Sequence, residues 1–268
     1  MNTYIRLIGA LIFLLLNFTN IAYSGGVEEI PPPVAGDMSS DSTKVFVWEA
    51  QEPVATIVFV QGGTGRLALR TDQKNLNHPF YQMLRRLAET KTGNGKINVV
   101  VFDSPWTLGD VSNPGMRRAS NHLKRIEDVV KFYKEKFKLP VWVMGHSNGG
   151  ISITSFIEYL QENNSVRLIQ GAILSNSNNY ISFKPPLNLP ILFVQHEYDS
   201  CAETGASSKV AIYEDLKKIN QSVTELAMIS SGGSAGDCKS GAHMYSDSEL
   251  DAQNIIRRFI LKNNAPKN

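Results

Sequence analysis

The sequence predicts an α/β fold: a mostly parallel central sheet flanked by helices on both faces. Three observations carry this. Short runs such as "ATIVFVQGG", "INVVVFDSP" and "LPILFVQHEYD" are apolar nearly throughout rather than alternating, so the strands they form are buried on both faces. These runs alternate with longer stretches of helical period, the order that sets parallel strands side by side with helices crossing over them. Finally, 268 residues with 42% hydrophobic content suffice for one sizeable core.

Taken in order, "KVFVWEA" (44–50), "ATIVFVQGG" (55–63), "INVVVFDSP" (97–105), "PVWVMG" (140–145), "IQGAILSNS" (169–177), "LPILFVQHEYD" (189–199) and "VTELAMIS" (223–230) read as strands. Helical period marks 77–90, 119–137, 151–161, 209–219 and 249–262. No internal repeat or long linker divides residues 44–268, which read as one domain. The two strands around 175–188, "SNSNNYISFKPPLN", are separated by too few residues for a folded cap, so no large cap domain is expected.

The N-terminus differs from the rest. Arg6 precedes an apolar run, Leu7 to Leu16, and Ala22-Tyr23-Ser24 supplies small residues where a signal peptidase reads. Residues 1–24 are expected to be a signal peptide, which makes the mature protein periplasmic or secreted. An uncleaved anchor is the alternative, although the run is short for a bilayer span. Residues 25–43, with "PPP" and "SSDS", read as an extended lead-in. Net charge is +2 with both signs interspersed, and nothing points to nucleic acid. "HLKRIEDVVKFYKEKFK" reads as a solvated helix face. The two cysteines, Cys201 and Cys238, form an even pair in an exported chain, which favours a disulfide. No CxxC or HExxH cluster occurs, so no metal site is expected.

Gly145-His146-Ser147-Asn148-Gly149 matches G-x-S-x-G between a strand and a helix. A serine there sits on a sharp, strained turn, and side chains two before and two after it would collide with neighbouring elements. The turn lifts the hydroxyl from the core to the positive end of the following helix. A hydroxyl nucleophile needs a base and an orienting acid. Of five histidines, His78 and His122 lie in or beside helices and read as surface or helix-end residues, and His146 is inside the turn. His243, in the loop before the last helix, ranks ahead of His196 as base. Asp199, just past a strand's carboxyl end, ranks ahead of Glu197 and Asp237 as acid. "SSGGSAGDCKSG" is not a phosphate loop, since Cys238 stands where glycine must precede Lys-Ser.

The order Ser147, Asp199, His243 resembles the α/β-hydrolase superfamily, strand by strand over nearly all of the mature chain. "HEYDSC" followed by "GGSAGDCKSGAHMY" resembles secreted bacterial serine hydrolases in which a disulfide links the acid and histidine loops. The resemblance implies the α/β-hydrolase fold and hydrolysis of carboxylic esters through a Ser-His-Asp triad and an acyl-enzyme, without a cofactor. It also implies an oxyanion hole. In that superfamily a His-Gly-x segment after the first central strand donates a backbone N–H; Gln61-Gly62-Gly63 takes its place here, so Gly63 and Asn148 are the expected donors. Gln61 departs from the family histidine and leaves the internal bonding of that loop open. A peptidase or amidase on the same triad, acyl transfer to another acceptor, and a non-catalytic binding module on this scaffold are the alternatives. The expected partner is a small-molecule or polymeric acyl substrate reaching an open site; Thr64 and Arg66 are near enough to touch it, while Trp106, Tyr180 and Tyr198 read first as core or rim packing, with pocket lining the alternative.

Overall fold

Along the strand β3 (Pro53–Val60), neighbouring side chains serve opposite cores: Val58 and Val60 pack into one, Ile57 and Phe59 into the other, all fully buried. This period of two with apolar residues at every step is what a strand buried on both faces requires. The computed structural model describes residues 25–30, 42–69, 73–89, 95–105 and 111–264. The expected signal peptide and Trp106 lie outside the described residues.

The other strands are β1 (Gly26–Ile30), β2 (Thr43–Trp48), β4 (Lys96–Asp103), β5 (Val141–His146), β6 (Gly171–Ser175), β7 (Ile191–His196) and β8 (Thr224–Ile229). They form one eight-stranded sheet in the order β1-β2-β4-β3-β5-β6-β7-β8. β1 and β2 pair antiparallel, β2 meets β4 antiparallel, and every pairing from β4 to β8 is parallel. β1 falls in the stretch that the sequence presents as a lead-in. Its five residues, GVEEI, include two glutamates and a glycine and carry little strand signal of their own; pairing with β2 orders them.

Helices α1 (Pro79–Glu89) and α6 (Glu249–Asn263) cover one face, through Phe80, Met83, Leu84 and Leu87 of the first and Ile256 and Phe259 of the second. The other face carries α3 (Ser120–Phe137), α4 (Gly149–Glu162) and α5 (Ala206–Ile219), with Ile126, Val130, Phe156 and Leu216 in its core. A short helix α2 (Pro114–Arg117), capped by the Asn113 side chain on Gly115 N–H, precedes α3. The segment between β6 and β7 crosses by turns without a helical insert, so no cap is placed there. The α/β architecture with helices on both faces is therefore as the sequence predicts.

α3 departs from its sequence reading. One face is solvated, but His122, Leu123, Arg125, Ile126, Val129, Val130 and Tyr133 are buried against the sheet. Alternating charge masks an apolar stripe of helical period in this segment.

Phe59 lies at the centre of the sheet, its ring centroid 5.7 Å from that of Phe80 and 6.2 Å from that of Tyr81. Phe59→Ala is expected to lower the unfolding free energy by about 3–5 kcal/mol, from lost transfer and the cavity left behind. Urea titration measures it, and a loss below about 1 kcal/mol contradicts this packing.

Candidate active site

The parallel pairing of β3 with β5 sets Val60 opposite Gly145, so both chains leave the sheet side by side. The β5 chain then turns sharply into α4, and Ser147 sits on that turn at φ 54, in the left-handed region. The two flanking glycines have direct steric reasons. A Cβ on Gly145 would lie 2.4 Å from the carbonyl oxygen of Gly149, and one on Gly149 would lie 2.1 Å from that of Val60. Ser147 N–H donates to Ser175 O at 3.0 Å and its carbonyl accepts from Gly150 and Asn178, which locks the turn to β6 and α4.

The loop after β3 packs directly on this serine. A Cβ on Gly62 would stand 2.6 Å from the Ser147 Cβ and 3.2 Å from its Oγ. Gly63 follows at φ +53, solvent-exposed, with open space where a side chain would be. The loop is held from three sides. Gln61 Oε1 accepts from Tyr81 Oη at 2.6 Å, which answers how a glutamine serves in this position. Burial raises the Tyr81 phenol pKa, and the protonated hydroxyl is the form that donates. Arg117 Nη1 and Nη2 donate to the carbonyls of Gln61 and Gly63 at 3.0 and 2.9 Å. Asp103, at the end of β4, accepts from Leu67 N–H at 2.6 Å and Leu69 N–H at 2.9 Å. Burial pushes the Asp103 carboxyl up while these N–H groups pull it down; the net direction is upward.

On the other side of the turn, the structure brings Asp199 and His243 together. His243 Nδ1 lies 3.0 and 3.1 Å from the two Asp199 oxygens, and both side chains are almost wholly buried. Asp199 also accepts from Thr204 Oγ1 at 2.7 Å and Cys201 N–H at 3.0 Å. A carboxylate so surrounded is fixed in orientation and holds the imidazole with its proton on Nδ1. The backbone of His243 is fixed as well. Asn176, past the end of β6, donates through Nδ2 to the carbonyls of Ala242 and His243, while its Oδ1 accepts from His196 N–H. Tyr245 Oη reaches back to Val194 O at 2.7 Å. His243 thus hangs over the sheet from the ends of β6 and β7.

The rival candidates fall elsewhere. Glu197 is exposed, and Asp237 bonds within its own loop to Lys239 N–H and Ser240 Oγ. His196 Nε2 faces Ser231 O, and its ring packs where a Cβ on Gly233 would come within 2.4 Å, so it is a packing residue. His78 accepts from Phe80 N–H at the start of α1. His146 stacks 4.4 Å from Phe80 and 4.8 Å from His243, ring centre to ring centre. Burial first, and His243 second, hold its pKa well below the ordinary value, so it stays neutral beside His243.

His122 corrects its sequence reading as a surface or helix-end residue. It is buried, with Nε2 2.9 Å from Ser152 Oγ, and Ser152 in turn accepts from Arg117. Burial, then the Arg117 charge, lower its pKa from 6.5 to about 3. Arg117, Asn176, Asp103 and Thr204 carry no local sequence signal of a site role; their partners are distant in the chain.

Asn148 opens α4 beside Ser147, and its side chain is held by Asn178 Nδ2 at 2.7 Å, which also donates to Glu203 at 2.7 Å. Lys209 is fully buried, donates to Asn179 Oδ1, and burial lowers its pKa to about 8. Thr64, Tyr180 and Tyr198 are exposed and Arg66 is half-buried. Cys201 and Cys238 form a disulfide across 37 residues, tying the acid loop to the segment that leads into His243. Among the described residues, no group of three or more His, Cys, Asp or Glu is placed to hold a metal, and no helix is long and apolar enough to cross a membrane.

No protein-family model matches the chain, and no curated protein matches it in sequence. Solved structures do. A dienelactone hydrolase of Anabaena variabilis is 11% identical, with a TM-score of 0.58, and the match covers 90% of this chain and 99% of that one. A lid-less α/β serine hydrolase of Xanthomonas campestris is 13% identical, with a TM-score of 0.57, covering 89% and 94%. A bacterial heroin esterase is 12% identical, with a TM-score of 0.56, covering 95% and 90%. The likeness is one of fold, and the chain has the α/β-hydrolase fold.

Two predictions follow from the buried groups and the cross-link. Between about pH 6.5 and 3 the unfolded chain takes up a proton at His122 that the folded one refuses. Stability therefore falls as pH drops through that window, by ~1.4 kcal/mol per pH unit from this group, and His146 acts in the same sense. His122→Gln is expected to flatten the acid limb by that slope in urea titrations at pH 6, 5 and 4; an unchanged slope sinks the assignment. Cys201→Ser removes the cross-link and is expected to lose on the order of 3–4 kcal/mol in the chain-entropy account. An unchanged melting temperature under oxidising conditions contradicts it.

Proposed function

We propose that the protein is an exported serine hydrolase that cleaves carboxylic esters. The observation that carries the reading is the buried Asp199–His243 pair, its imidazole 4.8 Å from that of His146, the residue that leads into Ser147 on a left-handed strand-to-helix turn. In this reading Ser147 Oγ attacks the ester carbonyl and its proton passes to His243 Nε2. Asp199, on Nδ1, orients the ring and stabilises the imidazolium that forms. The oxyanion accepts from the backbone N–H groups of Gly63 and Asn148. Collapse breaks the bond to the alcohol, which leaves with the proton from His243. Water, deprotonated by the same histidine, then hydrolyses the acyl-enzyme and returns the serine.

Several features support ester chemistry at an open site. No helical insert lies between β6 and β7, and Gly63 and Thr64 are exposed, so a sizeable or polymeric acyl group has access. The similar proteins named above include a hydrolase of a dienelactone and an esterase of heroin. Export is supported by the apolar N-terminal run and is consistent with the disulfide, which persists in oxidising compartments.

A fluorophosphonate is expected to label Ser147, detected by mass spectrometry of the oxidised protein. Ser147→Ala is expected to abolish labelling and to lower p-nitrophenyl ester turnover by about 10⁴-fold or more. Parallel ester and amide panels separate an esterase from a peptidase. No labelling of well-folded protein leaves a binding module on this scaffold as the surviving reading.

A further inference from the structure

Resting on that serine-hydrolase reading, we propose that Arg117 is the positioning residue of the oxyanion hole, holding the Gly63 N–H at the geometry the transition state needs. The argument starts from the peptide planes of the loop. The Gly63 N–H belongs to the Gly62–Gly63 peptide, whose carbonyl accepts from Gly65 N–H at 2.9 Å. A trans peptide is planar with its N–H and C=O opposed, so anchoring the Gly62 carbonyl sets the direction of the Gly63 N–H. The two flanking peptides are anchored by one guanidinium, through Gln61 O at 3.0 Å and Gly63 O at 2.9 Å. Three consecutive carbonyls are thereby fixed.

Such anchoring answers a specific weakness. Glycines have the widest backbone freedom of any residue, and Gly62-Gly63 would otherwise sample many orientations. Gly62 must be glycine because Ser147 lies against it, and Gly63 adopts φ +53. The loop therefore gains its rigidity from outside. Arg117 supplies it with a planar fork whose two ends reach two carbonyls at once, and Arg117 is itself fully buried. Nη1 also donates to Ser152 Oγ on α4 at 3.1 Å, and Ser152 meets neutral His122. One guanidinium thus spans both sources of oxyanion donors: the loop carrying Gly63, and the helix whose first turn follows Asn148.

The test separates positioning from general damage. Arg117→Met is expected to lower kcat for a p-nitrophenyl ester about 100-fold while KM stays within ~3-fold, because the lost interaction acts only in the transition state. A trifluoromethyl ketone reports the same step without turnover: Ser147 Oγ bonds to its carbonyl carbon, the hydroxyl proton goes to His243, and the ketone oxygen becomes the oxyanion. Its inhibition constant is expected to rise by a similar factor, about 100-fold, with the pH profile of kcat unchanged. Arg117→Lys, which can satisfy one carbonyl at a time, is expected to recover part of both.

The inference is overturned by a folded Arg117→Met that keeps kcat and ketone affinity within ~3-fold of the parent, or by an Arg117→Lys that recovers nothing over Arg117→Met. It is overturned equally if KM and the pH profile move as far as kcat, since that marks a distorted site. Should Arg117→Met not fold, Ser152→Ala unties the guanidinium from α4 and is expected to show the same split at about 5-fold; an unchanged kcat then rejects the proposal. A parent protein whose Ser147 takes no fluorophosphonate overturns the hydrolase reading itself, and is recognised before any Arg117 variant is made.

Discussion

The constraint on which the site depends is the close approach of Gly149 to the carbonyl of Val60, where a single added carbon would sit 2.1 Å from oxygen. It exists because β3 and β5 are parallel neighbours in register, Val60 beside Gly145, and both end at the same level. The β5 chain can turn into α4 only by crossing over the end of β3. That crossing throws Ser147 upward into the left-handed region and brings Gly62, just beyond β3, against its side chain. Ser147 and the Gly62-Gly63 loop are thus positioned by one event in the sheet. Any slip of the β3–β5 pairing would move them apart together.

The loops carrying Asp199 and His243 are attached to the next two strands by the same logic, with side chains in place of steric contact. Asn176 links the ends of β6 and β7 to the carbonyls around His243, and Tyr245 returns the loop to β7. The ring of His146 fills the space between Phe80 and His243. Its neutrality matters, because a second imidazolium at that distance would oppose the positive charge His243 takes up in the proposed chemistry. Burying His146 among apolar rings ensures it does not compete. The cost appears at low pH, where the unfolded chain can protonate histidines that the folded one keeps neutral.

How far this was legible in the sequence depends on whether a feature is local. The G-x-S-x-G turn is local: its glycines answer contacts a few residues away, and the strand and helix beside it declare themselves by period. That Asp199 and His243 fall in loops beyond strands was legible too, although their mutual contact was not a local feature. β1 was not, because GVEEI at a sheet edge is short, carries two glutamates and depends on β2 for its order. Arg117 and His122 were misread or passed over for a shared reason. In "GMRRASNHLKR" they look like solvent-facing charges, and only the fold brings Gln61, Gly63 and Ser152 to them. Side chains that bind distant backbone leave no periodic trace.

Arg117 also poses an energetic question. A buried guanidinium carries a desolvation penalty of several kcal/mol, and well-packed apolar residues of similar volume are often no worse for stability. At this position, however, an apolar replacement would strip the Gln61 and Gly63 carbonyls of their donor. An unsatisfied buried carbonyl such as that of Gln61 costs about 1–3 kcal/mol, so the loop would turn such groups toward water instead. Turning them rotates the very peptides that flank the Gly63 N–H. A donor fork that holds the Gln61 and Gly63 carbonyls inward at once answers that cost, and in the proposed chemistry it also holds the peptide between them, whose N–H is that of Gly63.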